Sequence, residues 1–229
     1  MSTENLADSV NAAEPVAQAP EQKRSTRDQL LDATGALMTE NNTTSVSFGE
    51  ISAKSGVNAA LIRYHFGSKQ GLLEALLERD AGDNYEAMHK LVHTDWDPVQ
   101  KMRLHIHGVI RLYQRVPYLN RLLIALQSES DTDIARYIMD RFTTPVVEAE
   151  RAILEQGVAA GVFRPTDPIL FHFSLIGACD SIFHSRSALL ELVGVDMIDD
   201  KLRDRYAEHV ANLLMNGLRS EPEEAKPAG

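Results

Sequence analysis

The sequence predicts an all-α fold, and three observations carry that reading. Apolar residues recur at helical spacing in one stretch after another. Asp97-Pro98, Thr144-Pro145 and Asp167-Pro168 each put a capping residue before a proline at a first helical position. Strand-like alternation is confined to Thr44–Phe48. With 229 residues, 44% of them hydrophobic, the chain can bury a core as one large domain or two small ones.

The elements follow in order. Residues 1–22, rich in Ala, Pro and Glu without periodicity, read as a disordered tail, and residues 220–229 as another. Thr26 with Gln29 has capping-box spacing and opens a helix whose inner face is Leu30, Ala33, Leu37 and Met38. Ser47 with Glu50 repeats the box and opens a short helix that Gly56 ends. Asn58 caps another short helix, through Ile62 to Phe66, which Gly67 stops. Ser68 then caps a long helix through Leu73, Leu76, Leu77 and Tyr85 toward Leu91. Gly82 and the acidic Asp80–Asp83 stretch offer this helix a pivot.

After Pro98 comes a stripe of Met102, Ile106, Val109, Tyr113 and Val116. A helix from near Asp133 carries Ile134, Ile138 and Phe142, then continues or kinks at Pro145 toward Ile153 and Val158. Ile169 to Leu192 is apolar on more than one face and should be buried on more than one side. A last helix carries Leu202, Tyr206, Val210, Leu213, Leu214 and Leu218.

Composition excludes several classes of function. No apolar run reaches the roughly 18 residues of a membrane span. The first twenty residues hold no Lys, no Arg and no apolar block, unlike a secretory signal. The chain reads as cytoplasmic. Cys179 stands alone, so neither an internal disulfide nor a cysteine-based zinc site is expected, and in an apolar context it reads as a small core residue. His105 and His107 project about 200° apart on a helix and cannot share one ion. His172 and His184 lie on the apolar helix and read as structural. GxSxG, HExxH, P-loop and GxGxxG motifs are absent. No catalytic residue, metal or cofactor is expected.

Net charge is −10, which on its face argues against nucleic acid, but its distribution does not. Residues 1–22 hold four acids and no base, whereas residues 23–69 hold six bases against four acids. Phosphate responds to the local field, so a weakly basic module on an acidic body is admissible. The sharpest motif lies there: Ser47 to Lys69, SFGEISAKSGVNAALIRYHFGSK. Two short helices meet at a glycine turn, with Ile51, Val57, Ile62 and Phe66 placed to pack them. This is helix-turn-helix spacing, in which the second helix is offered to a major groove.

Over residues 26–87 the chain resembles the TetR family of bacterial transcriptional regulators, through RDQLLDATGALMTEN, FGEISAKSGVN, RYHFGSK and LLEALLE. The resemblance implies a homodimeric repressor, with a DNA-binding unit over residues 23–68 and a helical effector-binding and dimerisation domain over residues 69–219. It places Asn58, Ala59, Ala60, Arg63, Tyr64 and His65 on or beside the recognition helix, and Lys69 on phosphate at the start of the fourth helix. Arg63, Ala59 and Ala60 depart from the usual residues of the family. Arg63 is the candidate for a guanine contact or a phosphate clamp. Ser47 joins the DNA-facing set, and Lys23, Arg24 and Arg27 form either an arm toward DNA or a solvated run.

Two further sets complete the expectation. Met102, His105, Ile106, Tyr113, Leu122, Tyr137, Phe142, His172 and Phe173 would line a mostly apolar pocket for a hydrophobic or amphipathic small-molecule effector. Phe171, Leu175, Ile182, Phe183, Leu202, Tyr206, Leu213 and Leu214 would form the isologous interface of a homodimer. The partners expected are thus double-stranded operator DNA, a second copy and an effector, with no membrane. The alternatives are a ligand-independent DNA-binding protein of the same fold, or an all-α enzyme or carrier using the helical cavity.

Overall fold

The computed structural model of the chain describes residues 25–128, 132–195 and 197–220. Both predicted tails, Lys23 and Arg24 fall outside these residues, apart from Ser220, as do the side chains of Tyr85 and His184. Eleven α-helices form among the described residues: α1 (Thr26–Glu40), α2 (Phe48–Ser55), α3 (Ala60–Phe66), α4 (Lys69–Val92), α5 (Pro98–Arg115), α6 (Leu119–Gln127), α7 (Thr132–Ile138), α8 (Thr144–Ala159), α9 (Pro168–His184), α10 (Arg186–Val193) and α11 (Asp200–Leu218). Their β-structure is a single isolated bridge between Phe163 and Arg219.

Local chemistry sets most boundaries as expected. Ser47 accepts from the Glu50 amide at 3.2 Å while the Glu50 carboxylate accepts from the Ser47 amide at 2.7 Å, a complete capping box. Gly56 and Gly67 end α2 and α3 at φ of 70° and 73°, a left-handed backbone that L side chains rarely adopt. Asn58 accepts from the Ala60 amide, Ser68 from Gly71, Asp97 from Gln100, and Asp167 from Ile169 and Leu170.

Four expectations are corrected. The cap of α1 is Ser25, which accepts from the Asp28 amide at 3.1 Å, one residue before Thr26. Thr144 is not a cap but the first residue of α8, which opens without a side-chain cap, and a π-helical turn, Met139–Thr143, joins α7 to α8, so the chain continues through Pro145. The π turn absorbs the offset that the missing proline N–H would otherwise impose. Leu119–Gln127 forms a separate helix, α6, whose start carries no side-chain cap to announce it. Finally, the single helix expected over Ile169–Leu192 is broken at Ser185 into α9 and α10.

Packing places α1, α2, α3 and the first turns of α4 around Leu30, Leu31, Met38, Val46, Ile51, Ile62 and Leu72, all but fully buried. α5 is the hub of the remainder, against α8, α9 and α11, and α4 lies along α8. Met102, Ile106, Tyr113, Leu122 and Phe142 are at most 4% exposed in this second core. Five of the nine residues of the predicted pocket lining thus belong to the core. The stripe was read correctly, but a stripe cannot say whether its facing helices close on it.

Candidate nucleic-acid interface and the helical body behind it

α3 presents its polar face outward because Ile62 is spent on the core and Gly56 sets the angle at which α3 leaves α2. Arg63 and Tyr64 are exposed, Tyr64 at 81%, and His65 stacks edge-on against Tyr64 with ring centroids 5.1 Å apart. Ala60 is exposed, whereas Ala59 is half-buried against the core. Phe66 is half-buried under Arg27, whose guanidinium lies 5.3 Å from the ring centroid, so Arg27 flanks α3. Two predicted contacts carry local duties as well. The Ser47 hydroxyl donates to Glu50, and Asn58 caps α3.

Lys69 is exposed at the first turn of α4, where unpaired amides and the helix dipole favour an anion. With Thr44, Ser45, Ser68 and Gln70 it borders a cleft of about 440 Å³, whose other wall is Leu122, Ala125 and Leu126 of α6. Hydrogen bonds from Ser47, with a smaller contribution from Lys69, hold the Glu50 carboxyl below its ordinary value. The surface thus joins a polar helix face, an ammonium and a set of hydroxyls, the groups that contact phosphate and base edges.

Behind it, polar links tie the N-terminal helices and α4 to the body. Arg79 donates to Asp32 of α1 at 2.9 Å and to Asp80 at 2.7 Å. The Tyr118 hydroxyl donates to Asp80, and burial first, then the Asp80 carboxylate, push the Tyr118 phenol well above its ordinary range. Gly35 of α1 lies so close to this ring that an added Cβ would meet the Tyr118 oxygen at 2.7 Å. These groups border a polar cleft of about 790 Å³ between α1, α4 and the end of α5. Farther along, Arg141 makes two bonds to Glu78 at 2.8 and 2.9 Å, and Tyr137 donates to it at 2.8 Å. The hydrogen bond from Arg141 lowers the Glu78 carboxyl, and burial with Glu78 pushes the Tyr137 phenol up to about 12. Tyr137 is thus engaged with α4, and the predicted pivot at Asp80 is a tethered point.

The body encloses a charge that the sequence reading missed. Glu150 of α8 is 0% exposed; its Oε1 lies 2.8 Å from His105 Nε2 of α5, and its Oε2 lies 2.9 Å from His172 Nδ1 of α9. Burial alone would raise the Glu150 carboxyl, but the two histidine hydrogen bonds outweigh it and hold it low. Two residues of the predicted pocket set, His105 and His172, therefore pair with each other through a buried carboxylate. A signal for Glu150 existed, since Val147, Glu150, Leu154 and Gly157 share one helical face that is otherwise apolar. Cys179 is buried, and burial with the Glu150 charge raises its thiol, in keeping with an inert core residue.

α9 is phased differently from the reading. Phe171, Leu175 and Phe183 turn into the core of the subunit, whereas Phe173, expected in the pocket, is 71% exposed beside Leu170 at 67%. Successive residues differ by about 100° on a helix, and an apolar segment gives no marker of its inward face. Ile182, Leu202, Tyr206 and Leu214 are half-buried and Leu213 is 61% exposed. The Tyr206 hydroxyl donates to the Ala178 carbonyl. Among the described residues no helix is long and apolar enough to cross a membrane.

Comparison with known proteins agrees with this architecture. Residues 30–76 match the description "Bacterial regulatory proteins, tetR family", and residues 95–223 match "Tetracyclin repressor-like, C-terminal domain". The HTH-type transcriptional repressor NicS of Pseudomonas putida is 26% identical over 196 residues, covering 85% of this chain and 92% of that protein. Among solved structures, the TetR-family regulator PfmR of Thermus thermophilus superposes with a TM-score of 0.67 at 21% identity, over 86% of this chain and all of the other. FadR of Bacillus subtilis superposes with a TM-score of 0.60 at 19% identity, over 84% and 99%. With a helix-turn-helix match at its start and a C-terminal match over more than half its length, the chain belongs to the TetR family of DNA-binding transcriptional regulators.

Proposed function

We propose that this regulator works as a symmetric dimer that represses by laying α3 of each subunit in successive major grooves, roughly 34 Å apart. One observation carries the site assignment: Arg63 and Tyr64 project from a helix whose apolar side is locked down, one turn of chain before Lys69 at the start of α4. In this reading Arg63 contacts a base edge or phosphate, Tyr64, His65 and Ala60 line the groove, and Lys69 and Arg27 grip the backbone. The DNA-binding unit ends near residue 68, and residues 69–219 form the effector and dimer domain.

The dimer interface uses Ile169, Leu170, Phe173 and Leu213, the large apolar side chains that α9 and α11 leave exposed, with Ile182, Leu202, Tyr206 and Leu214 at its margin. The effector is hydrophobic or amphipathic. An apolar groove of about 390 Å³ beside Leu154, Val158 and Pro168, with Arg151 at its edge, supports that class. So does a related fold, since FadR of Bacillus subtilis was solved in complex with stearoyl-CoA.

The test begins with DNA selected from a random duplex library on the immobilised dimer. Enrichment of an inverted repeat is the expected outcome, and Arg63→Ala should narrow the gap between that repeat and random duplex. No enrichment above random sequence would sink the reading, and equal losses on both DNAs would move Arg63 from base to backbone.

A further inference from the structure

Two histidines that neither the DNA face nor the buried core uses sit one turn apart at the end of α4. His89 and His93 are both exposed, with ring centroids 4.5 Å apart and planes tilted by 34°. Their i, i+4 spacing stacks the rings on one helix face, the arrangement His105 and His107 lack. A dication seated between them takes one nitrogen from each.

The pair is oriented as well as close. His93 Nδ1 lies 2.8 Å from the backbone carbonyl oxygen of His89. A carbonyl oxygen only accepts, so Nδ1 holds the proton and the Nε2 lone pair is left for a ligand. Metal-binding histidines are commonly held this way, the far nitrogen fixed by an acceptor that sets the tautomer and raises ligand basicity. Neighbouring cations are already directed elsewhere: Lys90 toward Glu86 at 3.8 Å, and the buried Lys101 onto the Val92 carbonyl and Gln156. The negative end of the α4 dipole adds a field that favours a cation.

We propose that His89 and His93 form a bidentate site for a late first-row transition-metal dication, copper(II) ahead of nickel(II) and zinc(II), with water completing the coordination. Imidazole suits these metals, whereas magnesium and calcium require oxygen donors. Among the described residues no group of three or more His, Cys, Asp or Glu is arranged to hold a metal, so this is an open, exchangeable site and not a structural one. At 1.5 Å per residue it lies about 30 Å along α4 from Lys69, away from the DNA face.

The protein carries its own reporter. Trp96, its single tryptophan, lies three residues past His93 and is 53% exposed, close enough for paramagnetic copper to quench it. Copper(II) chloride titrated into the full chain in a non-chelating buffer should quench Trp96 saturably at one ion per chain, reversibly with EDTA. Magnesium chloride should not. His89→Ala and His93→Ala, checked for unchanged helicity by circular dichroism, should each raise the copper midpoint by about tenfold or more, because the second imidazole no longer acts at high local concentration. His209→Ala, on another helix, should leave the midpoint in place. An unchanged midpoint in either pair variant, a shift of equal size in His209→Ala, or quenching that never saturates would overturn the site.

Discussion

The N-terminal helices and the helical body are built from the same secondary structure, yet they treat polar groups in opposite ways. In α1 to α3 the polar groups that matter are local and outward. Caps are made between residues three apart, as in Ser25–Asp28 and Ser47–Glu50, and Arg63, Tyr64 and Lys69 stand in solvent. In the body the decisive polar contact is remote and inward: Glu150 is bonded 45 residues back and 22 residues ahead. The first region keeps its function on a surface at little cost in desolvation. The second places a carboxylate where any loss of partners leaves a buried charge. Between them lies a shared seam of Asp32, Arg79, Asp80 and Tyr118, so a change of packing in the body has a physical route to α1.

The contrast is testable, and the largest effect belongs to the body. Glu150→Ala should lower stability by about 3–5 kcal/mol in chemical denaturation, since it leaves two buried rings without their acceptor. Glu150→Gln keeps the volume and should cost less. Acid should act through the same group. Its folded carboxyl is held below the ordinary value of 4.5, so its contribution is present above that pH and lost as pH falls through the folded value. Glu150→Gln should flatten that acid limb, and an unaltered limb would assign it to other carboxylates.

Next comes the seam. Gly35→Ala puts a methyl group 2.7 Å from the Tyr118 oxygen, an overlap that should cost about 1–3 kcal/mol by thermal unfolding. If α1 and the body are coupled there, Tyr118→Phe in the same background should recover part of the loss. A DNA-face change should then leave stability alone: Lys69→Ala should keep the melting temperature but weaken specific and random DNA alike. Its salt slope should fall by about one unit per subunit. A melting shift as large as that of Gly35→Ala would mean that Lys69 is structural. Tyr118→Phe alone should cost only about 1 kcal/mol, for one hydrogen bond with packing retained. Any change it makes in operator affinity would then measure communication across the seam.

What the sequence determined by itself is the part governed by short-range rules. Caps, glycine stops and helical stripes act within a turn or two of chain, so most of the helices and the whole α2–α3 unit were legible, down to Ile62 inside and Arg63 outside. Two features escaped: α6, opened without a side-chain cap, and the break at Ser185 that separates α10 from α9, again without a side-chain cap. The tertiary structure alone decided the rest. Apolar stripes named Met102, Ile106 and Phe142 as inward, but whether they face a cavity or one another depends on how closely α5, α7 and α8 approach. The phase of α9 followed the same logic, since a helix apolar all round has no sequence mark for its inner side, and packing turned Phe171 in and Phe173 out. The pairing of His105 and His172 through Glu150 required three helices to converge on one point. A sequence lists such partners but carries no distance between them, because long-range contact is fixed by the packing of whole helices and not by neighbours in the chain.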